Sequence, residues 1–119
     1  MDLEEFRSYC LAKKSVTEEF PFGPENIVFK VGGKIFAITN IDTFDTINLK
    51  CQPDKAIELR EQYDYVKPGY HMNKQHWNTI EVNWQVNFRL LREWIDDSYN
   101  LVVEQLPKKE KELLKRLHE

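Results

Sequence analysis

The sequence of 119 residues has no excess of positive charge. Its 17 lysine and arginine residues are outnumbered by 20 aspartate and glutamate residues, which gives a formal net charge of −3. A domain that binds DNA mainly through phosphates usually carries a basic excess. Any contact with nucleic acid must therefore rest on a local patch.

Long apolar runs are also missing. No stretch approaches the roughly 18 consecutive apolar residues that a membrane-spanning helix needs. Residues 1–5 are acidic, where a secretory signal peptide would be basic and then apolar. We therefore expect a cytoplasmic protein with no membrane partner.

Cysteine and histidine are too few and too scattered for the usual catalytic or metal centres. Cys10 and Cys51 lie far apart, and a reducing compartment disfavours a disulfide between them. A helix dipole can lower the pKa of Cys51, which precedes Pro53 at a predicted helix start, but no partner base is identifiable. His71 and His76 lack the further ligands of a metal site. We expect no enzyme activity, no metal and no cofactor.

What the sequence does contain suits a single hydrophobic core. The apolar fraction is 41% and the aromatic fraction 13%, while the length is too short for two ordinary domains. We expect one domain over residues 1–106 and a charged helical extension over residues 107–119, with a monomer favoured.

The sharpest local signal is a Gly-Gly dipeptide between two apolar runs. Residues 27–31 and 34–40 flank Gly32 and Gly33. A two-residue type I′ turn needs positive φ at both central positions, which glycine supplies. The pattern predicts a β-hairpin, and residues 45–50 are predicted to follow as a third strand.

Residues 65–70 and 77–83 are predicted as two further strands, with Pro68 indicating an edge strand or a bulge. Residues 15–20 are extended but are not counted among the strands. Helical periodicity predicts helices over residues 2–13, 85–106 and 108–118, and Pro53 indicates the start of another helix. In the helix over residues 85–106, Phe88 is part of the predicted buried stripe.

The order of these elements predicts an α+β fold. The chain runs helix, three strands, helix, two strands, helix and tail helix. Strands joined by short connections favour an antiparallel sheet. We expect two layers, with a sheet of about five strands and the helices on one face.

Six short segments carry a family resemblance. They are FPFGP at 20–24, FKVGGKIFA at 29–37, LKC at 49–51, PGYHMNK at 68–74, HWNTI at 76–80 and SYNLV at 98–102. Together they resemble the MmcQ/YjbR family of small bacterial proteins over about residues 1–106. The resemblance implies a two-layer α+β fold akin to type III secretion chaperones and frataxin-like proteins. It also carries a DNA-binding label, with no catalytic residues to transfer.

Residues 70–78 form the segment richest in binding chemistry. They place two histidines, a lysine, amides and aromatics in a loop that enters a strand. Aromatic, cationic and amide groups stack bases and hold phosphates. With three lysines on strands that could share a sheet face, the candidate nucleic-acid-binding residues are Lys30, Lys34, Lys50, His71, Lys74, His76 and Trp77.

A structural interpretation of the same segment stays open. Trp77 can be a core residue, with Asn73 and Asn78 capping turns and the charges merely solvated. Two function classes follow. One is a DNA-associated protein with a local basic and aromatic patch, and the other is a protein-interaction module whose sheet or last helix receives a partner segment.

Overall fold

The computed structural model describes residues 1–117, so His118, the last residue of the predicted tail helix, lies outside the described residues. The elements in chain order are α1 (Leu3–Leu11), β1 (Thr17–Glu19), β2 (Asn26–Val31), β3 (Lys34–Asn40), β4 (Thr46–Lys50), α2 (Pro53–Gln62), β5 (Val66–Pro68), β6 (Trp77–Glu81), α3 (Phe88–Glu104) and α4 (Lys108–Leu117).

The six strands form one antiparallel sheet in the order β1-β2-β3-β4-β6-β5. The predicted α+β class and antiparallel sheet are confirmed, but the strand number is six rather than about five. The additional strand is β1, which lies within the extended segment 15–20 and pairs with β2 at the sheet edge. Such a three-residue edge strand carries little burial pattern that a sequence can reveal.

The β2–β3 hairpin is confirmed. Gly32 and Gly33 adopt φ angles of 58° and 78°, which is the left-handed geometry that the turn requires. A Cβ atom on Gly32 would lie 2.7 Å from the side chain of Leu106, because the chain just after α3 packs directly on the turn. This close approach fixes the end of α3 against one end of the sheet.

A β-bulge interrupts the pairing of the two hairpin strands. Phe29 pairs with Ala37 and Lys30 pairs with Ile35, so Phe36 is the extra residue of β3. An extra residue of this kind is left without a ladder partner on the neighbouring strand. As a result Phe36 and Ala37, although consecutive, both belong to the hydrophobic core.

The core lies between one face of the sheet and the helices. α1 contributes Phe6, α2 contributes Leu59 and α3 contributes Leu91 and Ile95 to one buried cluster with the inner strand residues. Because three helices share this cluster, the predicted arrangement of helices on one sheet face is confirmed. No helix within residues 1–117 is long and apolar enough to cross a membrane.

The start of α3 differs from the prediction. The helix begins at Phe88 rather than at residue 85, because the Asn87 side chain accepts hydrogen bonds from the Arg89 and Leu90 amides and caps it. Phe88 therefore occupies the first helical position and is 43% exposed, so its assignment to the buried stripe was wrong. Trp84, in the loop before the helix, is 91% exposed.

Candidate binding site on the outer sheet face

A cavity of about 630 Å³ lies on the sheet face opposite the core. Strand alternation builds its floor, because side chains next to core residues must point outward. Ile38 pairs with Asn48, Asn48 pairs with Thr79, and Thr79 pairs with Lys67, so these side chains form one row across β3, β4, β6 and β5. The volume falls within the range of small-molecule pockets, about 300–1,000 Å³.

A hydrogen-bond relay connects the cavity floor to its rim. The Tyr70 backbone N–H donates to the Thr79 hydroxyl at 2.9 Å, and that hydroxyl donates to the Asn48 carbonyl oxygen at 2.5 Å. Thr79 is only 6% exposed, which limits the access of water to the middle of the relay. It holds the Asn48 amide in one orientation relative to the rim loop.

Exposed aromatic side chains border the cavity. Phe22 and Tyr70 both line it and are 61% and 70% exposed. His71 lies beside Tyr70, with 4.1 Å between the ring centroids, and has a φ of 59°. Left-handed geometry in a residue other than glycine costs energy and often marks a functional site. The rim therefore offers aromatic surfaces on a constrained turn.

Arg60 of α2 holds the rim loop in place. Its Nε donates to the side-chain oxygen Oδ1 of Asn78 at 2.6 Å, and its Nη2 donates to the backbone carbonyls of Lys74 and Trp77. Lys74 Nζ in turn donates to the Gly69 carbonyl at 3.1 Å. These contacts bind residues 69–77 to a helix on the other side of the sheet, so the loop is a fixed wall of the cavity.

The charges that line the cavity do not make it basic. Among the lining residues, Lys67 is the lysine, and Asp45 and Glu81 carry the carboxylates. Glu81 pairs with Thr46, the residue after Asp45, so both carboxylates lie at one end of the floor. Most of the remaining polar groups are amides and hydroxyls, which favour a polar, largely uncharged ligand surface at this position.

Of the seven predicted site residues, His71 lines the cavity and the other six do not. The strand members lie at the neighbouring end of the sheet but do not share one face. Lys34 pairs with the core residue Val31 and so lies on the core side, whereas Lys30 pairs with Ile35. Lys50 pairs with Trp77, but its Nζ reaches Gln105 at the end of α3. The exposed Lys74 and half-buried His76 precede Trp77 in the rim loop. The predicted local basic and aromatic patch is thus divided between a cavity and an adjoining basic end.

The lysines of this basic end differ in how free they are. Lys30 forms an ion pair with Glu19 at 3.4 Å. Lys50 Nζ donates to the Gln105 side chain at 2.8 Å, and the pKa of Lys50 is lowered by burial and by the nearby charge of Lys34. The positive charge of Lys34 therefore acts on Lys50.

Several residues of the candidate site were not predicted from the sequence. Asn48 alternates with buried residues along β4, so a signal was present there, whereas three consecutive buried residues in β6 conceal the outward position of Thr79. The signal also lacked the pairing of β4 with β6, which places the two side chains side by side. Arg60 gave no signal, because one arginine on a helix normally points to solvent.

The expectation for Cys51 is corrected by its surroundings. Burial raises the pKa of the Cys51 thiol, whereas the nearby start of α2 was expected to lower it. Burial also raises the pKa of Cys10 well above its usual range. Within residues 1–117, no three histidine, cysteine or acidic side chains are grouped to hold a metal ion.

The sequence matches the family model of YjbR over residues 11–101. The chain belongs to the YjbR family. Among curated relatives of this YjbR-family protein is the uncharacterized protein YbdF of Escherichia coli O157:H7, 46% identical over 92 residues, which are 76% of this chain and 75% of the relative. The uncharacterized protein YjbR of Escherichia coli K12 is 29% identical over 118 residues, covering 98% of this chain and all of the relative.

Solved structures share the fold of this YjbR-family protein. A crystal structure of a Deinococcus radiodurans protein with the domain DUF419 superposes with a TM-score of 0.90 at 35% identity, covering 95% of this chain and 87% of that one. A Pseudomonas syringae protein gives a TM-score of 0.71 at 28% identity, covering 85% and 98% of the two chains. The resemblance to the family, and the fold that it implied, are confirmed.

Proposed function

We propose that this YjbR-family protein binds a short segment of single-stranded DNA on its outer sheet face, without a catalytic step. The observation that carries the proposal is the row of amide and hydroxyl side chains between exposed aromatic rims, next to a basic end of the sheet. Unpaired bases need aromatic faces to stack on and polar groups for their edges, and their phosphates need cations.

The bases would occupy the cavity. Phe22 and Tyr70 are exposed enough for a base to stack on either ring, and stacking on an aromatic side chain contributes roughly 1–3 kcal/mol per base. Asn48 and the other amides of the floor would contact base edges. A cavity of about 630 Å³ accommodates one or two bases rather than a long segment.

The phosphates would lie at the basic end. Lys34 and Lys50 lie at that end, where burial and the charge of Lys34 lower the pKa of Lys50, and Lys74 lies in the rim loop beside the cavity. Asp45 and Glu81, at the other end of the floor, would repel a phosphate. This separation of charge favours a DNA strand whose phosphates all lie towards the basic end. Because the net charge of the protein is −3, binding would be weak except at low salt.

Fluorescence anisotropy with a labelled ten-nucleotide thymidine strand tests the proposal. Three phosphate contacts on a single strand predict a log–log salt slope of about −2, so affinity falls about 100-fold between 20 and 200 mM salt. The triple variant Lys34→Ala, Lys50→Ala and Lys74→Ala should lose most of the low-salt affinity and flatten the slope.

The matched control is Gln85→Glu, Arg89→Ala and Arg92→Ala, three exposed positions before and within the first half of α3, which changes the net charge equally outside the cavity lining and the basic end. Thermal unfolding of each variant checks that the fold is retained. The same loss of affinity in both triple variants would show that only overall charge matters. Absence of binding at 20 mM salt would overturn the proposal.

A protein-interaction module is the second candidate function. The observation that favours it is the pair Asp45 and Glu81, which complements a cationic side chain of a partner segment rather than a phosphate. The variant Asp45→Asn with Glu81→Gln separates the two functions. Under the DNA proposal the variant binds the strand more tightly, since two repulsive charges are gone, whereas a peptide site gains no affinity for DNA.

A further inference from the structure

The floor of the cavity exposes hydrogen-bond donors selectively. The carbonyl oxygen of Asn48 is occupied by the Thr79 hydroxyl at 2.5 Å. The carbonyl oxygen of Asn40, also in the lining, accepts the backbone N–H groups of Asp42 at 2.8 Å and Thr43 at 3.2 Å. Because both amides use their acceptors internally, their NH₂ groups are the parts available to a ligand.

Thr79 determines the orientation of the Asn48 amide. The hydroxyl accepts the Tyr70 N–H at 2.9 Å, and its own proton is directed to the Asn48 oxygen. The low exposure of Thr79 limits competition from water for this proton. Rotation of the Asn48 amide by half a turn would set an NH₂ group against the Thr79 hydroxyl and break this bond. The donor therefore stays directed away from Thr79.

We propose, as a consequence that rests on the proposed function, that Asn48 selects bases with a keto oxygen over bases with an amino group at the same edge position. Thymine O4 and guanine O6 accept a hydrogen bond, whereas cytosine N4 and adenine N6 donate one. A fixed NH₂ donor pairs with the first class and opposes the second. Thr79 is the positioning residue that keeps the donor fixed.

The test compares ten-nucleotide strands of thymidine and of cytidine at one low salt concentration and pH 7.5. The two strands carry the same phosphates, so the ratio of their Kd values reports base recognition alone. We expect the wild-type protein to bind the thymidine strand about fivefold more tightly, the effect of one net hydrogen bond.

Asn48→Asp is the decisive variant. A carboxylate keeps an acceptor for the Thr79 hydroxyl but replaces the NH₂ donor with a second acceptor, which suits the cytosine amino group. We expect the preference to reverse in favour of the cytidine strand. The added negative charge weakens both strands alike and cancels in the ratio. A retained thymidine preference would exclude Asn48 as the selective group.

The positioning role of Thr79 has its own readout. Thr79→Val removes the hydroxyl at nearly constant shape, so the amide is freed and the Kd ratio should fall towards one. Thr79→Ser keeps the hydroxyl and should restore the ratio. A loss of stability alone would lower the active fraction for both strands equally and leave the ratio unchanged.

The outcomes separate this inference from the proposed function. Equal affinity of the wild-type protein for the two strands would overturn the selectivity and leave DNA binding in place. Absence of binding to either strand at low salt would overturn DNA binding and the inference with it. An unchanged ratio in Thr79→Val would remove Thr79 from the mechanism.

Discussion

Replacing Ser98 by alanine should strongly destabilise the protein, although Ser98 does not line the cavity on the outer sheet face. Ser98 is fully buried in α3, and its hydroxyl donates to the Phe36 carbonyl at 2.5 Å and accepts the Lys50 N–H at 2.9 Å. Phe36 is the extra residue of the β-bulge, so Ser98 supplies a partner at the point where the β3–β4 ladder ends.

The magnitude follows from the two backbone groups that Ser98→Ala leaves without this partner. A buried polar group that loses its hydrogen bond costs about 1–3 kcal/mol. With two such groups, we expect a loss of about 3 kcal/mol, since a slight shift of the strands relieves part of the cost. An unfolding entropy of about 2.1 cal/mol/K per residue converts this loss into a fall in Tm of about 12 °C.

Urea and thermal unfolding, followed by circular dichroism, measure the effect. Ser8→Ala is the matched control, because Ser8 is exposed on α1 and its replacement should change the free energy of unfolding by less than about 0.5 kcal/mol. An unchanged urea m-value would show that the unfolded state is not affected. If Ser98→Ala were as stable as Ser8→Ala, the hydroxyl would not be the bridge between β3 and β4.

Three further variants test other parts of the structure. Gly69→Ala places a Cβ atom 2.7 Å from Trp77 Cβ and 2.9 Å from the Trp77 carbonyl, so we expect a loss of about 1–3 kcal/mol in urea unfolding. The Arg7 hydrogen bond lowers the pKa of Glu18, so Glu18→Gln should reduce stability at pH 7 by less than about 1 kcal/mol, and the gap to wild type should close as the pH falls through the pKa of folded Glu18. Burial raises the pKa of Asp97, so Asp97→Asn should be more stable than wild type at pH 7 and equal to it at pH 3; a gap that persists at pH 3 would contradict this cause.

Features of the fold that depend on neighbouring residues were predictable. Gly32 and Gly33 require a left-handed turn, Pro53 suits the first position of α2, and Pro68 cannot donate to a ladder and lies in the edge strand β5. Each follows from the backbone chemistry of one or two residues. The order of helices and strands predicted the two-layer arrangement, and the fold implied by the family resemblance agreed with it.

The candidate site was only partly predictable, because it depends on contacts between distant segments. Asn48 and Thr79 meet since β6 inserts between β4 and β5, which is decided by burial of the whole inner face. The strand lysines share one end of the sheet but not the one face that alternation suggested, because Lys34 pairs with the core residue Val31, and the long side chains take local partners. Lys30 pairs with Glu19 and Lys50 bonds to Gln105, and no sequence pattern foretells either contact.

The insertion of β6 between β4 and β5 has a consequence during synthesis. The first four strands emerge from the ribosome as a complete meander, but the outer edge of β4 has no hydrogen-bond partner until residues 77–81 arrive. Such an exposed edge can pair with another nascent chain. A polypeptide truncated before β6 should therefore associate with itself, so the second half of the chain protects the first as well as completing the sheet.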